Sequence, residues 1–310
     1  MKPKEIYRVF ITEVNNFIIS LNHCWAEELD NFDTEIIGGI HMVILFLFIS
    51  IIITYLIIPY MMHMLIEAKV LAKNYRGENI PIAMGITFVP VMLLNCFILL
   101  LFYREMYPIL LIFLTATSIM AFVGLADDLM GDRKASGFKG HFYSIFRGRL
   151  TTGFLKAWIG GMISLIISLI HSNSISQLII NASIIALFTN LLNLLDLRPG
   201  RAIKSYLFLA FLFIVIGISG INQIVLFCII GYCIGYLPQD IKAKSMMGDA
   251  GSNPLGISLG IISIISFSMN IKYFILLLLF LIHVVSEKYS LSQIIKNNSF
   301  LNYIDQLGRN

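Results

Sequence analysis

The chain has 310 residues, 58% of them hydrophobic and 13% charged, with a formal net charge of +4. A soluble domain carries roughly 25% charged residues, so these charges cannot cover a water-exposed surface, and a mean hydropathy of +0.84 makes lipid the solvent for most of the chain. A soluble globular enzyme is excluded, and no nucleic-acid partner is expected.

In chain order, residues 1–38 stand apart. Ile6, Tyr7, Phe10, Ile11, Val14, Phe17, Ile18 and Leu21 recur at helical spacing opposite Lys4, Glu5, Arg8, Glu13 and Asn15. That pattern predicts an N-terminal amphipathic helix lying at the membrane interface. No cleavable signal peptide is expected, because the first long apolar stretch begins near Gly39.

A helix needs about 20 apolar residues to cross the hydrocarbon core. Candidate spans fall at about 40–62, 82–102, 107–126, 153–171, 177–197, 203–219, 222–237, 253–269 and 271–286. The last four are short, and near loop-free joints at Ser219-Gly220-Ile221 and Met269-Asn270-Ile271 predict tight hairpins. The expected fold class is therefore all-α: a polytopic transmembrane helical bundle of about nine spans. Its expected divisions are an extension at 1–38, a transmembrane domain at 39–286 and a cytoplasmic tail at 287–310.

Cytoplasmic loops retain Lys and Arg. Lys69, Lys73 and Arg76 follow the first span, and Arg133, Lys134, Lys139, Arg147 and Arg149 follow the third. Arg198, Arg201 and Lys204 follow the fifth, and Lys242 and Lys244 the seventh, whereas the alternate loops offer Arg104 and Lys272. The basic loops are thus assigned to the cytoplasm of a multi-pass plasma-membrane protein, with the N-terminus outside. The cysteines Cys24, Cys96, Cys228 and Cys233 show no C-x-x-C spacing and read as unpaired thiols.

Between Tyr107 and Ser286 the carboxylates are Asp127, Asp128, Asp132, Asp196, Asp240 and Asp249. Every one falls at a cytoplasmic helix end or loop in a topology derived from the basic residues alone. Ionisable groups beside lipid cost about 2.5–3.5 kcal/mol each on insertion scales, so their convergence on one face points to a site.

Asp127 and Asp128 end the third span. A carboxylate pair there opposes the helix dipole and repels itself. It is either a solvated helix stop or a place for a cation or a phosphate–metal complex. Lys139, in the next loop, is suited to a phosphate or is simply positive-inside charge. Asn190, Asn193 and Asp196, at i, i+3 and i+6, lie on one arc of the fifth span; asparagines in such helices also serve as interhelical glue. Pro199-Gly200 stops that helix, leaving Arg198, Arg201 and Lys204 as a cationic rim suited to diphosphate. Asp249 lies in MMGDAGSNPLG, where Asn253-Pro254 reads as a helix N-cap with Pro at the first position and Gly248 and Gly251 allow close anion approach. Gly231 and Gly235 form a G-x-x-x-G, fit for a homodimer contact or for internal packing.

Together, Asp127-Asp128, N-x-x-N-x-x-D at Asn190, Asn193 and Asp196, and M-G-D-x-G-S from Met247 to Ser252 resemble the polyprenyl-phosphate N-acetylhexosamine-1-phosphate transferases, glycosyltransferase family 4. The resemblance covers about residues 40–286. It implies transfer of a sugar-1-phosphate from a UDP-sugar to a membrane polyprenyl phosphate, with release of UMP, as an initiating step of cell-envelope glycan synthesis. It also implies Mg²⁺, with Mn²⁺ as the alternative, bound by Asp249 with Asp128. Asp127 or Asp128 would activate the lipid phosphate, while Asn190, Asn193 and Asp196 would hold nucleotide and diphosphate, with Lys139 a further phosphate contact.

Two departures bear on this. Where the peptidoglycan branch has D-G-x-D-G, Asp196 is followed by Leu197-Arg198-Pro199-Gly200, so the second acid position is Pro199. The late H-x-H loop and final span of the family are missing, and His283 reads as a packing residue in an apolar span. These departures argue against the MurNAc-pentapeptide substrate. The alternatives are a catalytically silent homologue or a lipid or solute transporter.

Overall fold

The computed structural model describes Thr12 and residues 39–131 and 151–309. The expected interfacial helix at 1–38, Thr12 apart, and the basic loop carrying Lys139 lie outside the described residues. Nine longer helices follow one another: α1 (Ile40–Glu67), α2 (Phe88–Phe102), α3 (Tyr107–Met130), α4 (Thr152–Ile170), α5 (Ile175–Leu195), α6 (Arg201–Ile216), α7 (Gly220–Ile241), α8 (Asp249–Ser266) and α9 (Met269–Lys288). Two short helices, α10 (Leu291–Asn297) and α11 (Ser299–Gln306), complete the described chain.

Each expected span corresponds to a helix, but among the described residues seven segments are long and apolar enough to cross a membrane. They comprise α1, α4, α5, α7 and α9, with α2 and α3 each extended by a preceding 3₁₀ turn. The other two depart for different reasons. Helix α6 has only 16 residues. Helix α8 is buried continuously from Ala250 to Ile264, so it meets protein rather than lipid on all sides and tolerates the polar Ser252, Asn253, Ser258 and Ser263.

Small residues bring α8 close to its neighbours. A Cβ on Gly256 would lie 2.5 Å from Thr189 Cα, one on Gly260 2.6 Å from Ile185 Cα, and one on Gly124 of α3 2.2 Å from the Asp249 carbonyl oxygen. Helix α7 is seated on α1 in the same way. A Cβ on Gly231 would stand 2.6 Å from the Leu47 carbonyl oxygen, and one on Gly235 2.8 Å from Thr54 Cβ. The G-x-x-x-G stripe therefore packs internally, against α1, and is not a free dimerisation face. Cys96, Cys228 and Cys233 are buried and free, as expected.

The predicted tight joints are present, with Gly217 and Gly220 at positive φ between α6 and α7 and only Phe267-Ser268 between α8 and α9. An element absent from the all-α expectation is a small antiparallel hairpin, β1 (Leu71–Lys73) with β2 (Asn79–Pro81), registered Leu71↔Pro81, Ala72↔Ile80 and Lys73↔Asn79. Its exit strand continues into a backbone ladder: Met246 N–H donates to Pro81 O (2.8 Å), Met84 N–H to Met246 O (3.0 Å) and Gly85 N–H to Met247 O (2.8 Å). That ladder fixes the chain immediately before Gly248-Asp249.

Candidate active site

Helix α3 delivers Asp127 and Asp128 to the same end of the bundle as the start of α8. Their expected conflict with the α3 dipole is resolved by neighbours. Both oxygens of Asp128 accept backbone N–H groups of α8, from Asp249 and from Ala250, each at 3.0 Å. Asp128 thus caps another helix, where its negative charge is favoured. Gly248 makes this approach feasible, since a Cβ there would lie 2.4 Å from Asp128 Oδ2 and its φ is +69°. The cap corrects the expectation at Asn253: α8 starts at Asp249, five residues before the expected first position Pro254, and Asn253-Pro254 lies inside it.

Asp127 faces the other way. It accepts from Thr152 Oγ1 and, at 2.8 Å, from Lys156 Nζ. The same Nζ forms an ion pair with Asp249 Oδ2. Carboxylates from α3 and α8 therefore converge on one ammonium from α4. Asn193 of α5 closes the ring once its amide is oriented by hydrogen bonding, with the nitrogen donating to Asp249 Oδ1 at 2.6 Å and the oxygen accepting from Lys156 Nζ at 3.2 Å. Four helices contribute one polar group each.

This cluster forms one wall of a cavity of about 810 Å³. Asp127, Asp128, Lys156, Asn190, Asn193 and Asp249 line its polar end, and Met120, Ala157, Gly160, Gly161 and Leu187 supply apolar surface. Glu287 at the end of α9 also reaches it. Asn253 lines it too, nearly fully buried, and its Nδ2 has no hydrogen-bond partner among the described residues.

Asp196 stands one turn beyond Asn193, at the end of α5, behind the cavity wall. Its carboxyl is driven well above the usual range by burial, then by the charges of Asp240, Asp249 and Asp128, against which the Gly248 N–H gives partial relief.

The expected cationic rim is not assembled at the cavity. Arg198 is exposed. Arg201 is 5% exposed and forms a bidentate pair with Asp305, Nε to Oδ1 at 2.8 Å and Nη2 to Oδ2 at 2.9 Å. A guanidinium so held is not available to a diphosphate, because its Nε–Nη2 edge grips a carboxylate and its Nη1 donates to Ser292 Oγ at 2.8 Å. Among the described residues the cation lining the cavity is Lys156, which the sequence reading passed over as part of an apolar span. Its signal was a single lysine in the first turn of a membrane helix, an expensive placement without a partner.

No curated protein matches the chain. Residues 110–267, 158 of the 310, match the family model described as Glycosyl transferase family 4. That stretch runs from α3 through α8 and contains every polar residue lining the cavity except Glu287. On a match spanning more than half its length, the chain belongs to glycosyl transferase family 4.

Proposed function

We propose that this membrane sugar-phosphate transferase moves a sugar-1-phosphate from a UDP-sugar to a polyprenyl phosphate. In that reaction an oxygen of the lipid phosphate forms a bond to the sugar-linked phosphorus. The bond between that phosphorus and the UMP oxygen breaks, and UMP leaves. The observation that carries the reading is the convergence of Asp127 and Asp249 on Lys156 in the lining of a cavity that also offers apolar surface. Phosphoryl transfer asks a protein chiefly for positioning and for neutralising charge.

The donor set fits Mg²⁺, with Mn²⁺ as the alternative. No group of three His, Cys, Asp or Glu side chains is poised for a metal among the described residues. Magnesium needs only one or two carboxylates and takes the rest of its shell from water and phosphate oxygens. Asp127 and Asp249, which already share one cationic partner, are the pair we assign to it. Asp128, expected beforehand as a ligand, is instead the α8 cap. When bound, the ion would neutralise phosphate charge and hold the diphosphate in line for displacement.

The side chains divide the remaining work. Lys156 balances the two carboxylates and offers its ammonium to phosphate oxygens. Asn190 and Asn193 face the nucleotide and diphosphate. The unpartnered Nδ2 of Asn253 donates to the transferred group. The apolar surface at Met120, Ala157, Gly160 and Gly161 receives the first isoprene units of the carrier. Lys69, Lys73, Arg76, Arg198, Lys242 and Lys244 lie at this end of the bundle, which by the positive-inside rule supports a site facing the cytoplasm from the plasma membrane. Its product would feed cell-envelope glycan synthesis.

The test is UMP release by the purified protein in nanodiscs, with a panel of UDP-sugars, with and without polyprenyl phosphate, and with Mg²⁺ or chelator. UMP that requires both lipid and Mg²⁺, and that disappears in Asp249→Ala, supports the reading. Absence of lipid-dependent UMP with every UDP-sugar overturns it in favour of a silent homologue or a transporter.

A further inference from the structure

The chain after α9 does not trail away from the bundle. Arg309 Nε donates to Pro199 O at 2.8 Å, and its two terminal nitrogens grip Asp305 at 2.9 and 2.7 Å. The same Asp305 carboxylate receives Arg201 of α6, whose remaining nitrogen donates to Ser292 Oγ of α10 at 2.8 Å. Lys204 adds donation to the carbonyls of Ile304 (2.8 Å), Asp305 (2.6 Å) and Leu307 (3.3 Å). Asp305 is 9% exposed, so it is a desolvated carboxylate held between two guanidiniums.

What this arrangement grips is the turn from Asp196 to Gly200. From the other side, Gly200 N–H donates to Asp240 Oδ2 at 2.8 Å. Gly200 sits at φ +73° against Ile241, and Gly308 packs on the same Ile241. Pro199 has no N–H, so its carbonyl is the polar handle it offers, and Arg309 takes it. The turn's first residue, Asp196, lies beside Gly248, the residue before Asp249.

We propose that residues 289–309 form a strap that sets the active-site end of α5, with Arg309 as a positioning residue acting through Pro199. The strap fixes the register of Asn190, Asn193 and Asp196 against α8. It contacts the turn at Pro199, the position where the peptidoglycan-type pattern would put a second acid. Because Asn190 and Asn193 are assigned to the nucleotide side, the strap governs UDP-sugar binding rather than lipid binding, a consequence that rests on the proposed function.

The experiment compares wild type, Arg309→Ala and Arg309→Lys in nanodiscs, by steady-state kinetics for each substrate and by hydrogen exchange. In Arg309→Ala the KM for UDP-sugar rises about tenfold, the loss expected for one charge-assisted hydrogen bond. The KM for polyprenyl phosphate stays unchanged. Arg309→Lys, which keeps donation to Pro199 O, recovers part of the loss. Exchange in the segment 197–201 of Arg309→Ala accelerates, while that of 250–256 does not. Equal rises in both KM values, or kinetics within twofold of wild type, overturn the proposal, as does unchanged exchange at 197–201. If wild type releases no UMP, the proposed function fails, and the exchange data alone decide whether the strap holds the turn.

Discussion

Asp128 and Asp249 belong to different helices, yet the Asp128 carboxylate accepts the Asp249 backbone N–H at 3.0 Å while the Asp249 side chain turns away to Lys156. One acid builds the helix end that presents the other. Replacing Asp128 by Ala removes an N-cap whose loss costs about 0.5–2 kcal/mol. We expect a lowered midpoint of thermal unfolding in detergent together with loss of transfer. Asp128→Asn keeps the shape but sets an amide against an N–H donor, so its activity also falls. An Asp128→Ala protein with wild-type stability and turnover would show that the cap is dispensable.

Lys156→Met leaves Asp127 and Asp249 facing each other without a positive charge. Like charges sharing a site disfavour joint ionisation, so the variant loses transfer and unfolds more readily in chelator. A divalent ion at that pair relieves the repulsion. Added Mg²⁺ therefore raises the unfolding midpoint of Lys156→Met more than that of wild type, as measured by differential scanning fluorimetry. Equal Mg²⁺ responses in the two proteins would remove the carboxylate pair as the metal site.

Gly231 lies on α7 where it crosses α1, and a Cβ would sit 2.6 Å from the Leu47 carbonyl oxygen. Gly231→Val forces the two helices apart, and overpacking of this kind costs about 1–3 kcal/mol. The variant should lose thermal stability without change in oligomeric state, read by light scattering in detergent. A variant that kept its stability but changed its oligomeric state would restore the dimer reading of the G-x-x-x-G.

Asp305 supplies the pH dependence. Burial by itself would raise its carboxyl, but the hydrogen bonds from Arg201 and Arg309 outweigh that and push it down to about 2. A depressed carboxyl contributes stability that is full above its unfolded value, about 3.9, and is lost as pH falls through about 2. Docking of α11 should thus be unaffected from neutral pH to about 5 and weaken only below the ordinary carboxylate range. Limited proteolysis within 289–309 at stepped pH reads this directly. Asp305→Asn should be cleaved faster at every pH, with the acid-dependent step gone.

Much of the architecture was legible because hydrophobic runs and basic loops obey the energetics of the bilayer, which act residue by residue. The helices appear where apolar length demanded them, and α7 and α9 extend a few residues past the expected spans, α7 taking in Asp240 near its end. Helix α8 departs from the lipid-facing pattern because protein surrounds it, and burial by neighbours leaves no signature in local hydropathy. The hairpin at Leu71–Pro81 escaped notice because three-residue strands carry too little alternation to register.

The site divides along the same line. That Asp127, Asp128, Asn193 and Asp249 share one end of the bundle followed from chain order and the distribution of Lys and Arg, since topology alone assigns helix ends to a membrane face. Which acid faces which partner did not follow. Asp128 as a cap, Lys156 between two carboxylates, and Arg201 drawn away from any phosphate toward Asp305 depend on contacts between residues 29 to 121 positions apart. Such pairings are chosen by how desolvated charges find compensation inside a packed bundle, and that choice exists only once the helices have been brought together.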